Sequence, residues 1–124
     1  MSNAIVIAVA GIRLRAELND SPSAQAVHDA LPIKAPGNRW GEEIYFEIPV
    51  DVPLEADATE TVQVGELGLW PPGKAFCVFF GPTPASTGAE PVAASPVNRI
   101  GTVLDDATKL TDVPHGAEVL LEKA

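Results

Sequence analysis

Cysteine and positive charge are both scarce in this sequence. Cys77 is the one cysteine, so no disulfide can form within the chain and a secreted disulfide framework is excluded. Lysine and arginine total 8 against 17 aspartates and glutamates, a formal net charge of −9. Such a surface repels phosphate backbones and anionic headgroups, so we expect no nucleic-acid partner and no membrane partner. We expect a cytoplasmic protein whose acidic surface mainly keeps it soluble.

Long apolar runs and the motifs of common chemistries are missing as well. No apolar run approaches eighteen residues, and the stretch 4–10 has no basic segment before it, so we predict neither a membrane span nor a signal peptide. His28 and His115 lie far apart in the sequence, with no cysteine or carboxylate at ligand spacing around either. The sequence contains no phosphate-binding glycine loop and no G-x-S-x-G. We therefore predict no metal and no cofactor.

Proline, in contrast, is abundant, with 12 residues spread between apolar runs. The segment Val62–Pro84 (VQVGELGLWPPGKAFCVFFGPTP) has two apolar runs, a Trp-Pro-Pro-Gly corner and a closing Gly-Pro-Thr-Pro. Proline fixes φ and glycine supplies positive φ, so both corners are turn signals. Ala75–Phe80 contains no polar side chain and is too short for an ordinary helix, which predicts a central strand buried on both faces.

The remaining pattern predicts further strands and one short helix. The segment Asn19-Asp20-Ser21-Pro22 offers a capping side chain and then a proline close to the first helical position, which predicts a helix that runs to about Leu31, where Pro32 stops it. Alternating or β-branched runs predict strands at 5–9, 12–18, 42–48, 97–104 and 117–121, with a loop at 85–96 and at most a helical turn at 105–110. Seven or eight strands with one helix favour a single domain, 1–124, folded as a closed or nearly closed barrel that hides its sheet edges.

Four segments of the chain resemble a known family. Residues 11–31 (GIRLRAELNDSPSAQAVHDAL) resemble the first helix and the preceding strand of cyclophilins. NRWGEEIYFEIP, VGELGLWPPGKAFCVFFGPTP and SPVNRIGTV resemble a family of small prokaryotic cyclophilin-like domains of unsettled activity. The resemblance implies a closed eight-stranded cyclophilin-like β-barrel, with the helix capping an open end.

The catalytic motifs of cyclophilins are not found in this sequence. It has no Phe-His-Arg and no Gln-Gly pair, so the resemblance does not carry the isomerase activity across. Two hypotheses stay open. The first is a barrel that binds a small molecule or an extended peptide without turnover. The second is a prolyl cis–trans isomerase with a divergent site, in which Arg39 replaces the missing arginine and Phe46 forms an apolar wall. Homo-oligomerisation, which needs an exposed apolar patch, also stays open.

The large aromatic residues, including Trp40, Trp70 and Phe80, are typical of a core. The alternative is that Trp40 or Phe80 lines a pocket. Glu43 and Tyr45 share one strand face, which is either a solvated face or, with Arg39 nearby, a polar floor for a ligand. Asn98 is a further candidate at this site, and so is Thr83, which with the loop after it either closes over the site or covers a sheet edge. The predicted binding set is Arg39, Trp40, Glu43, Tyr45, Phe46, Phe80, Thr83 and Asn98.

Overall fold

The computed structural model describes residues 3–124, and this range holds ten β-strands, one α-helix and two 3-10 helices. The strands are β1 Ala4–Val9, β2 Ile12–Leu18, β3 Ile33–Pro36, β4 Asn38–Arg39, β5 Glu43–Glu47, β6 Thr59–Thr61, β7 Glu66–Trp70, β8 Ala75–Phe79, β9 Val92–Val103 and β10 Glu118–Lys123. The α-helix α1 spans Pro22–Ala30, and the 3-10 helices span Pro71–Gly73 and Ala107–Asp112. No helix among residues 3–124 is long and apolar enough to cross a membrane.

The strands form one antiparallel sheet in the order β3-β10-β1-β2-β9-β7-β8-β5-β4, with β6 paired to β9. The prediction of a closed eight-stranded barrel is therefore wrong, because the sheet is open and has ten strands. Closure requires a hydrogen-bonded ladder between the first and last strands. Here those strands are β3 and β4, and no ladder pairs them: Gly37 alone separates them along the chain, which is too short a connection for a hairpin turn.

Gly37 joins the two edges of the sheet. Its N–H donates to the carbonyl of Ala117 at 2.8 Å, and its carbonyl accepts from the Gly116 N–H at 2.7 Å. A Cβ at position 37 would lie 3.0 Å from Ile44 Cγ2 and 3.2 Å from the Ala117 carbonyl oxygen. The crossing from β3 to β4 is thus a close backbone approach, at which any side chain would press against its neighbours.

Strand β8 confirms the prediction of a central strand buried on both faces. It pairs with β5 on one side and β7 on the other, and all five of its residues are buried. Phe76 and Val78 point into the main core, whereas Ala75, Cys77 and Phe79 belong to a second apolar cluster on the opposite face. Because successive side chains of a strand point to opposite faces of the sheet, this one strand contributes to both apolar clusters.

The predicted helix is also confirmed, with the boundaries that its capping residues indicated. Ser21 is the N-cap, and its Oγ accepts a hydrogen bond from the Ala24 N–H at 3.2 Å. Pro22 occupies the first turn, where a missing N–H costs nothing. Ala24 and Val27 are fully buried, and the helix contacts β2 and β9.

Two local predictions are wrong. The segment 85–96 is not loop throughout, because β9 already begins at Val92 and continues for twelve residues past Pro96. Proline is tolerated there because β9 changes partners: its first half pairs with β6 and its second half with β7 and β2. The segment after Asp105 contains a 3-10 helix of six residues in place of a single turn.

Candidate binding cleft

A cavity of about 220 Å³ opens on the second face of the sheet, above β5, β8, β7 and the first half of β9. We call it the aromatic cleft. It is lined by Trp40, Glu43, Tyr45, Trp70, Ala75, Cys77, Ala93, Ala94, Ser95 and Val97. The strand register explains why these residues meet: Tyr45 lies directly opposite Cys77, and Trp70 lies directly opposite Ala75. Directly opposed residues share a sheet face, with Cβ atoms about 5 Å apart.

Small buried side chains form the floor of the aromatic cleft. Ala75, Cys77 and Ala93 are each at most 4% exposed. They belong, with Val97, to the second apolar cluster. Alanine and cysteine fill less volume than the phenylalanines and leucines that β7 and β8 place in the main core. The cleft therefore exists because one face of the sheet carries small residues between larger neighbours.

Aromatic side chains form the rim. Trp40, Tyr45 and Trp70 line the cavity and are all half-buried. Neither tryptophan is fully buried: Trp70 packs against the second apolar cluster, and Trp40 takes the alternative position given for it above, at a pocket. Trp70 packs over the following 3-10 turn, where a Cβ on Gly73 would lie 2.6 Å from its ring. The Trp40 N–H donates to the Glu43 carbonyl at 3.0 Å. The 3-10 turn after Trp70 and this backbone hydrogen bond of Trp40 thus hold the two tryptophans in place.

Glu43 places a carboxyl group in this apolar surrounding. The residue is 6% exposed, and burial raises the pKa of its carboxyl to about 7, an effect that a hydrogen bond with Cys77 partly reduces. Burial, together with the nearby Glu43 charge, raises the pKa of the Cys77 thiol well above its ordinary value. The ion pairs within residues 3–124 are Arg15–Asp105, Lys34–Glu118 and Arg39–Glu42, so none of them neutralises Glu43.

Arg39 lies outside the aromatic cleft and acts as a clamp between loops. Its guanidinium donates to the carbonyls of Thr111 at 3.0 Å and Val113 at 2.6 Å, at the end of the second 3-10 helix. It also donates to the Gly41 carbonyl at 2.9 Å, and its Cζ lies 5.0 Å from the centroid of the Phe80 ring. The N–H donors of the planar guanidinium therefore find their acceptors within the protein and need none from a ligand.

Phe46 and Phe80 are both buried in the main core. Phe46 stacks on Phe76 with ring centroids 5.3 Å apart. The structure therefore places these two predicted site residues on the face of the sheet opposite the aromatic cleft.

Asn98 and Thr83 hold loops in place. Asn98 is fully buried and binds the loop before β6 and the helix α1, through Glu55, Pro53 and Ser23. The Thr83 hydroxyl donates to the Val92 carbonyl and so ties the Gly81–Pro84 corner to the start of β9. Of the eight predicted site residues, the structure brings Trp40, Glu43 and Tyr45 together in one cavity and places the other five elsewhere.

Sequence reasoning missed the floor of the cleft and the role of Trp70 at its rim. The alternation that put Glu43 and Tyr45 on one face was the available signal, since pairing that strand with 75–79 brings in Cys77 and Ala75. A second cavity of about 320 Å³ lies between β2, β7 and β9 and is lined by several charged side chains, among them Glu17, Asp57, Glu66 and Arg99. No group of three metal-ligating side chains occurs within residues 3–124.

An open antiparallel sheet of ten strands, capped by one helix and carrying a second apolar face, defines a small mostly-β domain. The cyclophilin-like family model matches residues 3–122, and the chain belongs to the cyclophilin-like family.

The solved structures that are similar to this chain include the following two. The hypothetical protein AF2241 from Archaeoglobus fulgidus, a solution structure, is 38% identical with a TM-score of 0.83, over 99% of this chain and 95% of that one. McbB, solved in complex with tryptophan, is 19% identical with a TM-score of 0.69. That match covers 96% of this chain but only 44% of McbB, and it shows a shared fold. No curated protein matches the sequence.

Proposed function

We propose that this cyclophilin-like domain binds a small molecule, or one side chain of an extended peptide, in the aromatic cleft without chemical turnover. The observation that supports this proposal is the cleft itself: an open cavity with an aromatic rim, a floor of small apolar residues and one buried carboxyl group. Concave, mostly apolar sites with a few convergent polar groups are the usual form of a ligand pocket.

The volume of the aromatic cleft limits the size of the ligand. Pockets for drug-sized molecules usually measure about 300–1,000 Å³, whereas an apolar cavity of about 150 Å³ accepts benzene. At about 220 Å³ the cleft suits a group slightly larger than a single ring. A metabolite of that size, or one residue of a bound peptide, would fill it.

The contacts of Arg39 favour binding over isomerisation. A divergent isomerase needs a donor beside the proline pocket to stabilise the twisted amide. The guanidinium of Arg39 instead contacts backbone carbonyls and the Glu42 carboxylate. Among the described residues, those lining the aromatic cleft include no arginine or lysine.

Fluorescence titration tests the proposal, because Trp40 and Trp70 are the two tryptophans of the chain and both line the cleft. The probes followed by fluorescence are choline and its neutral analogue 3,3-dimethylbutan-1-ol; indole and L-tryptophan (McbB was solved in complex with tryptophan) are fluorescent themselves and are followed by calorimetry. We expect at least one probe to bind saturably, with affinity lost in Trp70→Ala. Leu104→Ala is the matched control, since Leu104 is an exposed apolar residue outside the cleft.

Exchange NMR on an Ala-Pro peptide supplies the second arm of this experiment. Uncatalysed exchange takes tens of seconds or longer, so even weak catalysis would be visible. We expect no acceleration. Catalysed exchange that Arg39→Ala abolishes without unfolding the protein would overturn the proposal, as would probe binding that Trp70→Ala leaves unchanged.

A further inference from the structure

We propose that the ligand of the aromatic cleft is an organic cation, a quaternary or alkylated ammonium group carried by a small molecule or a side chain. This inference rests on the binding function proposed above and names its ligand class. The chemistry that recognises the cation is the combination of three aromatic rim residues with one buried carboxyl group.

The rim supplies the aromatic surroundings that such a cation requires. A cation is attracted to the face of an aromatic ring within about 6 Å of its centroid, and tryptophan is the strongest partner. Trp40, Tyr45 and Trp70 line one cavity of about 220 Å³, so any group that fills the cavity contacts these rings. Alkylated ammonium groups match this site because their surface is apolar while their charge remains.

Glu43 supplies the opposite charge. Its side chain is buried, with 6% of the residue exposed, and it lines the same cavity. It has no ion-pair partner within residues 3–124. A carboxylate in apolar surroundings is costly unless it is paired. A bound cation would provide that pairing, which a neutral ligand of the same shape cannot do.

The same arrangement disfavours anions. Among the described residues that line the cleft, none carries a positive charge, and the whole chain has a net charge of −9. Carboxylates and phosphates would therefore meet repulsion both at long range and next to Glu43. The same net charge attracts a cation at long range and so speeds its association with the protein.

The titratable groups that face the cavity are few. Strand β5 presents Glu43 and Tyr45, with Glu47 exposed further along the same face, and β8 presents Cys77. Strands β7 and β9 and the turn before β5 present no acidic or basic side chain to it; they contribute Trp40, Trp70, Ala93, Ala94, Ser95 and Val97. Any pH dependence of cation binding near neutrality therefore comes from Glu43.

Choline and 3,3-dimethylbutan-1-ol form a matched pair of probes, since they share their shape and differ in charge. We expect choline to bind more tightly, with a preference of tenfold or more, as measured by tryptophan fluorescence and by calorimetry. Glu43→Gln should remove the preference and leave the binding of the neutral alcohol intact. Glu47→Gln, an exposed carboxylate on the same strand, is the control and should keep the preference.

The pH profile gives a readout that a purely structural role for Glu43 would not produce. Choline does not titrate, and it pairs with the ionised carboxylate, so protonation of Glu43 competes with binding. With a pKa of about 7, affinity should fall by about tenfold from pH 8 to pH 6, and Glu43→Gln should flatten the profile.

The outcomes separate the two proposals. If the neutral alcohol or indole binds as tightly as choline, the cation proposal is wrong while the binding function stands. If no probe binds, or if binding persists in Trp70→Ala, the binding function in the aromatic cleft fails and the cation proposal fails with it.

Discussion

Replacing Asn98 with alanine should destabilise the fold strongly without acting on the aromatic cleft. The Asn98 side chain is fully buried and makes three hydrogen bonds: Oδ1 accepts from the Glu55 N–H at 2.8 Å, and Nδ2 donates to Ser23 Oγ at 2.9 Å and to the Pro53 carbonyl at 3.0 Å. Ser23 in turn donates to the Glu55 carboxylate. One amide therefore anchors both α1 and the loop before β6 to β9.

The magnitude follows from these contacts. Each hydrogen bond contributes about 1 kcal/mol net, and a buried group left without a partner costs about 1–3 kcal/mol more. We expect Asn98→Ala to lower the free energy of unfolding by about 3–4 kcal/mol, a large share of the roughly 5–15 kcal/mol typical of a domain. Asn98→Asp should cost at least as much, because a carboxylate would face the Pro53 carbonyl and approach Glu55.

Urea denaturation at constant m-value is the assay, with exposed Arg99→Ala as the neighbouring control, expected to stay within about 0.5 kcal/mol. A loss below about 1 kcal/mol for Asn98→Ala would refute the reasoning. So would a variant of full stability that no longer binds the cleft probes, since that result would place Asn98 in the ligand site.

Three further predictions concern Arg39, Glu43 and Cys77. Arg39→Ala should lower stability by about 3 kcal/mol, and Arg39→Lys should recover less than half of it because lysine lacks the planar donor fork; an unchanged unfolding midpoint would contradict the clamp role. For Glu43, the folded pKa of about 7 lies above the ordinary value of 4.5, so the folded state binds more protons and stability falls as pH rises from about 4.5 to 7. Relative to Glu43→Gln, the loss should approach about 3 kcal/mol, and stability curves that stay parallel across this range would contradict the burial of the carboxyl. Cys77 lies on the cleft floor, 3% exposed and with a raised thiol pKa, so a small thiol reagent should label it much more slowly than it labels the unfolded protein, and labelling at the unfolded rate would show an accessible thiolate.

Local pattern was enough to predict the elements whose causes are local. The run 75–79 has no polar residue because sheet neighbours and two apolar clusters enclose it, and the helix begins at a serine cap followed by proline. Closure of the sheet was not predictable in this way. It depends on which strands lie at the edges, and that is set by the crossing at Gly37, whose hydrogen bonds reach residues 116 and 117.

The candidate site was predictable in part for the same reason. Alternation put Glu43 and Tyr45 on one face, but whether that face is solvated or covered depends on β9, some fifty residues later in the chain. The contacts of Arg39 could not be foreseen, because its acceptors are backbone carbonyls, which have no signature in a sequence. A large ring usually indicates a core residue, whereas the turn after Trp70 leaves its ring half-buried at the rim.

A cation site in the aromatic cleft is best tested by a two-dimensional ¹H–¹⁵N NMR titration of the protein with choline at pH 8. The two indole N–H resonances report on Trp40 and Trp70 alone, and Trp40→Phe identifies which is which. We expect both resonances to move saturably with one dissociation constant, and Glu43→Gln to weaken the effect. Indole resonances that stay fixed, while other peaks shift or none do, would contradict a cation site in the aromatic cleft.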